Sequence, residues 1–223
     1  MSGHEAYWIG FGDIHNSVDN VRRIPDLGAA SGVILSGDLT NRGGAAEARR
    51  ILDAVRAHNP AVFAQIGNMD TAAAQAFLEA EGVNIHARTT QLAPGVGMVA
   101  VGHSTPTPFG TPSEVQDRQL ELWLEEALYQ ARAYDTLLLV AHTPPYGTAA
   151  DLLPMGQHVG SQAVRDFIEA VQPDVCLTGH IHEARCVERL GKTTIINPGM
   201  LAQGGYAVIR LTSDGLAGEL HTL

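Results

Sequence analysis

A chain of 223 residues, 45% of them hydrophobic and 17% charged, is long enough to bury roughly 70% of the surface it exposes unfolded, which excludes disorder as its main state. The length suits one large domain, and no long linker divides it, so residues 1–223 read as a single domain. With 14 basic residues against 24 acidic ones the net charge is −10, a balance that repels polyanions and argues against a nucleic-acid polymer as partner.

Short runs rich in Val, Ile and Leu alternate with longer stretches of helical period, the pattern of an α/β protein. In chain order the sequence predicts strands at Ala6–Phe11, Gly32–Leu35, Ala61–Ile66, Val96–Val101, Thr136–Ala141 and Val175–Thr178. Helices are predicted at Val18–Leu27, Ala45–His58, Thr71–Glu81, Ser113–Ala133 and Ser161–Val171, with Asp70 or Thr71 capping the third and Gly160 and Ser161 preceding the last. After Thr178 come Ala184–Arg189, Thr193–Ile196, Ala207–Leu211 and Leu216–Leu223, strand-like and joined by Gly-containing turns, which read as an antiparallel meander. Thr105–Pro112 and Thr143–Pro154 are proline-rich loops. The longest apolar run, Leu137–Ala141, falls far short of the roughly 20 residues that span a bilayer. The N-terminus has no basic region or cleavage site of a secretory leader. Both point to a cytoplasmic location, where Cys176 and Cys186 are expected as buried free thiols.

The polar residues fall where the strands end. Gly12-Asp13-Ile14-His15 follows the first strand, Gly37-Asp38 the second, Gly67-Asn68-Met69-Asp70 the third, His142 the fifth and Gly179-His180-Ile181-His182 the sixth. Sites in open α/β sheets form at the carboxyl ends of strands, so these turns can converge although they are scattered along the chain. Oxygen and imidazole donors of this kind suit divalent transition metals better than a thiol or serine triad. Seven donors exceed the needs of one tetrahedral ion, and a two-metal site is the economical reading.

The set resembles the calcineurin-like metallophosphoesterases: DxH at Asp13 and His15, GD at Gly37 and Asp38, GNxD at Gly67–Asp70, a lone His142 and GHxH at Gly179–His182. The resemblance covers residues 12–182 and implies a four-layer α/β/β/α sandwich of two mixed β-sheets flanked by helices. It implies one metal held by Asp13, His15, Asp38 and His182 and another by Asp38, Asn68, His142 and His180, with Asp38 bridging. Two divalent ions are expected there, from Mn, Fe, Zn, Ni or Co, with Mn favoured. They would generate a bridging hydroxide that attacks phosphorus in line with the leaving oxygen.

Departures from the family pattern narrow the expected activity. Many members carry a proton-donating His where this chain has Met69, and a thioether cannot donate. General acid catalysis is commonly worth roughly 10²–10⁴-fold, so diesters or activated esters are the expected substrates unless another histidine fills the role. Arg42 stands where the GDxxDRG form of the motif places a phosphate-gripping arginine, with Asn41 in place of the usual Asp. His103, following a strand, is a candidate substrate contact. Asp38, Asn68, Asp70, Arg42 and His103 make up the catalytic candidates. His158 or Ser161, before a helix, is a further candidate contact, whereas Asn197-Pro198-Gly199 reads as a structural turn. His4, His58, His86 and His221 read as surface or strand-edge residues.

The expected function is therefore a dinuclear metal-dependent phosphoesterase, most readily a phosphodiesterase, acting on a small phosphate ester. The alternatives are a non-catalytic scaffold of the same fold, or a phosphomonoesterase or nuclease using the same site. Leu152, Leu153 and Met155 read as either a pocket wall or an interface of a homo-oligomer.

Overall fold

A computed structural model describes residues 6–223; Met1 to Glu5, including His4, lie outside the described residues. Side-chain alternation along the strands sorts the apolar residues into three layers of core. In β1 (Tyr7–Phe11) and β2 (Gly32–Leu35), Ile9, Phe11, Val33 and Leu35 point one way, onto α1 (Ala45–Arg56) and α2 (Ala72–Ala80). Trp8 and Ile34 point the other way, into a layer shared with a second sheet. In that sheet Met98, Ala100, Leu138 and Val140 face the first one, while Val99, Val101, Leu139 and Ala141 pack under two further helices, α3 (Asp117–Ala131) and α4 (Gln162–Val171). The result is four layers, helices on either side of two stacked sheets.

The first sheet adds β3 (Val62–Ala64), parallel to β2, and a C-terminal hairpin of β10 (Gly205–Thr212) and β11 (Gly215–Thr222), in the order β11-β10-β1-β2-β3. The second runs β4-β5-β6-β7-β9-β8, from β4 (Arg88–Ala93), β5 (Val96–Val101), β6 (Thr136–Ala141), β7 (Val175–Leu177), β8 (Cys186–Leu190) and β9 (Thr193–Asn197). β5, β6, β7 and β9 are parallel, and β4 and β8 are antiparallel edges. Both sheets are thus mixed, and their parallel strands end on one side of the molecule.

Several expectations need correction. Val18–Leu27 is no helix: Pro25 breaks the pattern, Asp26 turns left-handed at φ 55°, and only single 3₁₀ turns form at Val21–Arg23 and Leu27–Ala29. The C-terminal strands are not one meander, because the β8–β9 hairpin joins one sheet and the β10–β11 hairpin the other. β4 was not expected; it is a polar edge strand without an apolar run. The helix expected from Ser113 begins at Asp117, since the Ser113 hydroxyl instead donates to the Asp70 carbonyl at 2.6 Å. Thr71 does precede α2, but its hydroxyl donates to Gly43 O rather than capping the helix. Ser161 caps α4, accepting from Val164 N. Cys176 is buried and Cys186 half-buried, both free, with β9 between their strands. No helix among the described residues is long and apolar enough to cross a membrane.

One buried amide ties the carboxyl ends of the two sheets. Gln65, just past β3, directs its Nε2 at the carbonyls of Ser36 after β2, Val101 at the end of β5 and Val140 in β6, at 3.2, 3.1 and 3.3 Å. Gln65→Leu keeps the bulk and leaves these buried carbonyls without that donor. The expected cost is about 1–3 kcal/mol of unfolding free energy, measured by urea denaturation; an unchanged midpoint would mean that the amide only fills space.

Candidate metal centre

Each strand of interest ends by turning sharply, and the turns are made by residues that dislike the conformation. Asp13, His15, Asp38 and His180 all adopt positive φ, at 47°, 46°, 49° and 69°, a left-handed region that costs a non-glycine residue about 1–2 kcal/mol. The strain is held by lacing between the first two turns: Asp13 N donates to Gly37 O, Ile14 N and His15 N to Asp38 O, and Asn16 N to Leu39 O, at 2.8–3.0 Å. The Asp13 carboxylate in turn accepts His180 N, fastening the β7 turn to the β1 turn across the two sheets. Gly67 is needed for space, since a Cβ there would overlap Asp38 Oδ1 and His142 Nε2. Gly37 is needed for conformation, at φ 124°.

These turns bring all seven expected donors together. Asp13, His15, Asp38 and His182 each offer an atom within 4.8 Å of the others', and so do Asp38, His142 and His180. Asn68 Oδ1 lies 3.1 Å from His142 Nε2, joining the second group. Asp38 belongs to both.

Hydrogen bonds fix which way three of the donors point. Asn41 Nδ2 donates to the His15 carbonyl, so its Oδ1 must face His15 Nδ1, at 2.7 Å. That oxygen can only accept, so Nδ1 carries the proton and the Nε2 lone pair is free. His142 Nδ1 faces the Ser36 carbonyl at 3.2 Å, leaving its Nε2 lone pair free in the same way. Asn68 Nδ2 donates to Thr111 Oγ1 at 2.9 Å, which turns Oδ1 toward His142. The consequence is two convergences of possible ligand atoms. His142 Nε2, Asn68 Oδ1 and Asp38 Oδ1 meet in one, with His142 and Asp38 3.4 Å apart. His15 Nε2 and His182 Nε2 meet 3.1 Å apart in the other, with Asp38 Oδ2 and Asp13 Oδ1 at 3.7 and 3.4 Å. Acceptors gathered this closely require positive charge between them, and a pair of divalent cations fits the donor set.

The side chains alone can answer that demand only with protons. Burial would raise Asp38, but His142 beside it draws it down to about 2. Burial would lower His142, yet Asp38 and Asp13 lift it to about 9. His180 is pushed down to about 4, by burial and then by His142.

Five of the donors, His15, Asp38, Asn68, His180 and His182, border a cavity of about 740 Å³. Arg42 lines it, held at φ 58° by Arg42 N donating to Met69 O, with Nη2 donating to the carbonyls of Phe109 and Gly110. Met69 lines it as well and does not retreat into the core. Two catalytic candidates stand elsewhere. Asp70 is fully buried behind the turns and accepts from Leu39 N, Thr40 N, Thr40 Oγ1 and Gly67 N, so it braces the β2 and β3 turns and does not face the cavity. His103 packs at a tilt against both His86 and Trp123, 4.6 and 5.0 Å from their ring centroids, in a three-ring cluster off the cavity wall. His86 is likewise no surface residue: it is buried, accepts Gly102 N, and burial lowers its pKa to about 3. His158 is spent on Asp151 at 2.6 Å, and Ser161 on Val164 N and the Asp117 carboxylate. Asn197 binds the Ala150 and Ile181 carbonyls, as a structural turn should. Leu153 lines the cavity, whereas Leu152 and Met155 face solvent. The orienting roles of Asn41 and Thr111 are not legible in the sequence; the only signal is Asn41 standing where Asp is usual.

A family model described as metallophosphoesterase, calcineurin superfamily, matches residues 112–219. The uncharacterized protein MJ1162 of Methanocaldococcus jannaschii is 30% identical over 195 residues, which cover 85% of this chain and 86% of that protein. Among solved structures, TT1561 of Thermus thermophilus superposes with a TM-score of 0.73 at 18% identity, over 97% of this chain and 99% of its own. A dimetal phosphatase from Danio rerio does so with a TM-score of 0.68 at 14% identity, over 97% and 96%.

Thr111 tests the orientation argument. Thr111→Val removes the acceptor for Asn68 Nδ2 and should weaken Mn²⁺ binding at the second donor group by about tenfold or more, the usual scale for groups that orient a ligand. Thr111→Ser should restore it; calorimetric titration of both variants reads the difference.

Proposed function

The chain belongs to the calcineurin superfamily of metallophosphoesterases, and from that premise we propose that it is a dinuclear metal-dependent phosphodiesterase. The observation that carries the reading is the pair of donor groups sharing Asp38, on the wall of a cavity that also presents Arg42. Two divalent ions held by Asp13, His15, Asp38 and His182 and by Asp38, Asn68, His142 and His180 would supply charge neutralisation and an acidified water as nucleophile. Manganese is the ion we propose first, and a small phosphate ester in the cytoplasm the substrate.

The chain's own groups supply the rest. Asn41 and the Ser36 carbonyl hold protons on His15 Nδ1 and His142 Nδ1, keeping the Nε2 lone pairs available. The guanidinium of Arg42, anchored by one nitrogen to the Phe109–Gly110 rim, has N–H groups left to hold phosphoryl oxygens. Met69 has no proton to give a leaving group, and every histidine lining the cavity, among the described residues, is a proposed metal donor. Leaving groups must then be stable as departing anions. Glu183, the one additional carboxylate on the wall among the described residues, opposes a dianionic monoester more than a monoanionic diester. No observation favours the scaffold alternative, since all seven donors are present and converge.

With added Mn²⁺, bis-nitrophenyl phosphate should be turned over faster than mono-nitrophenyl phosphate; turnover of neither would sink the proposal. Asp38→Ala should reduce activity to background and remove metal from both positions, as read by elemental analysis. Met69→His should raise the monoester-to-diester ratio by about tenfold or more, part of the roughly 10²–10⁴ that general acid catalysis provides. An unchanged ratio would take Met69 out of the account.

A further inference from the structure

Resting on the diester reading above, we infer that the cavity selects diesters carrying an apolar aromatic ester group, and that Phe109 is the surface on which this group stacks. Size comes first. A cavity of about 740 Å³ is far larger than a phosphate needs and lies in the range of sites that enclose a whole organic ligand.

The walls come second. Away from the donors the cavity is bounded by Met69, Pro106, Pro108, Phe109, Leu153 and Val159, contributed largely by the two proline-rich loops, with Thr105, Thr107 and Thr111 between them. Among the described residues lining it, Arg42 is the only permanent cation and Glu183 the only carboxylate besides Asp38. No charged group there would pair with a second phosphate or a charged tail, and the Thr107 and Thr111 hydroxyls are already given to Glu114, so the group that fills this end is uncharged and largely apolar.

The third observation is how the aromatic rim is held. Phe109 is 78% exposed, yet its backbone is not free. Phe109 N donates to Thr107 Oγ1, and the Glu114 carboxylate accepts from Thr107 Oγ1, Thr111 N and Thr111 Oγ1, at 2.6–2.7 Å. These bonds draw Glu114 down to about 2 against the opposing effect of its burial. The Phe109 carbonyl accepts from Arg42. The group placed to hold phosphoryl oxygens is therefore bonded directly to the residue carrying the exposed ring. An ester group leaving the phosphorus on that side runs onto a ring whose backbone is already fixed, which lowers the ordering cost of stacking.

The test uses two monoanionic diester mimics, methyl phenylphosphonate and methyl methylphosphonate, with Mn²⁺-loaded protein in a calorimeter. The phenyl compound should bind about tenfold tighter. Phe109→Ala should bring the ratio toward one and Phe109→Trp should keep it, with a thermal melt confirming that each variant folds. Equal affinity in the unaltered protein, or a ratio indifferent to Phe109→Ala, would overturn the inference. A companion assay compares phenyl and methyl nitrophenyl phosphate, which share a leaving group. Hydrolysis of both with no phenyl preference overturns the aromatic subsite and leaves the diesterase reading standing. Hydrolysis of neither, with phenyl-selective binding intact, overturns the diesterase reading and leaves the subsite.

Discussion

The structure turns on one buried carboxylate. Asp38 is nearly inaccessible and belongs to both donor groups, with Oδ1 accepting from Met69 N at 2.8 Å and facing His142, and Oδ2 facing His15. A carboxylate so placed, with Met69 N donating to it, is stabilised by positive charge on either side. Every surrounding turn is arranged to keep it there. The β1 turn is bonded to its own peptide carbonyl, the β3 turn to its side chain, and Asp70 below gathers four donors from the β2 and β3 turns. Asp70 is itself lifted to about 6, first by burial and then by Asp38. The same bonds that brace the turns keep this second carboxylate from being an unpaired liability.

This placement has an energetic cost that the local sequence cannot meet. Four donor residues sit at left-handed φ, each costing about 1–2 kcal/mol, and closely spaced lone pairs repel. The layers beneath offset it. Three apolar layers bury the strands on both faces, and Gln65 joins their carboxyl ends across the gap between sheets. A rigid frame under a strained rim is the usual arrangement where geometry must be held before a ligand arrives.

How much of this was legible follows from how far each signal travels along the chain. β2, β5 and β6 match their predicted bounds because a buried parallel strand shows as a short apolar run. The donors were legible because each follows a strand and strand ends gather on one side. What failed depends on partners distant in sequence. The two C-terminal hairpins look alike locally, and only their neighbours decide that they join different sheets. Asp70 shares a motif with a donor, but its four partners turn it inward. His103 follows a strand as the donors do, yet Trp123 and His86 claim its ring. Asn41 and Thr111 act on His15 and Asn68, 26 and 43 positions away, and no spacing announces such a pairing.

Charge explains why one donor is an amide. Under the proposed reading, two divalent ions meet two carboxylates, Asp13 and Asp38, and the imidazoles and Asn68 are neutral. The donor set then leaves a surplus of two positive charges, to which Arg42 and Glu183 add nothing net. A carboxylate in place of Asn68 would halve that surplus and weaken the hold on an anionic substrate. Thr111 would also lose the Nδ2 donor that now fixes the direction of the group. The chain as a whole carries −10, so attraction must be local. Screening at physiological salt, over about 8 Å, keeps the distant acidic surface from cancelling it.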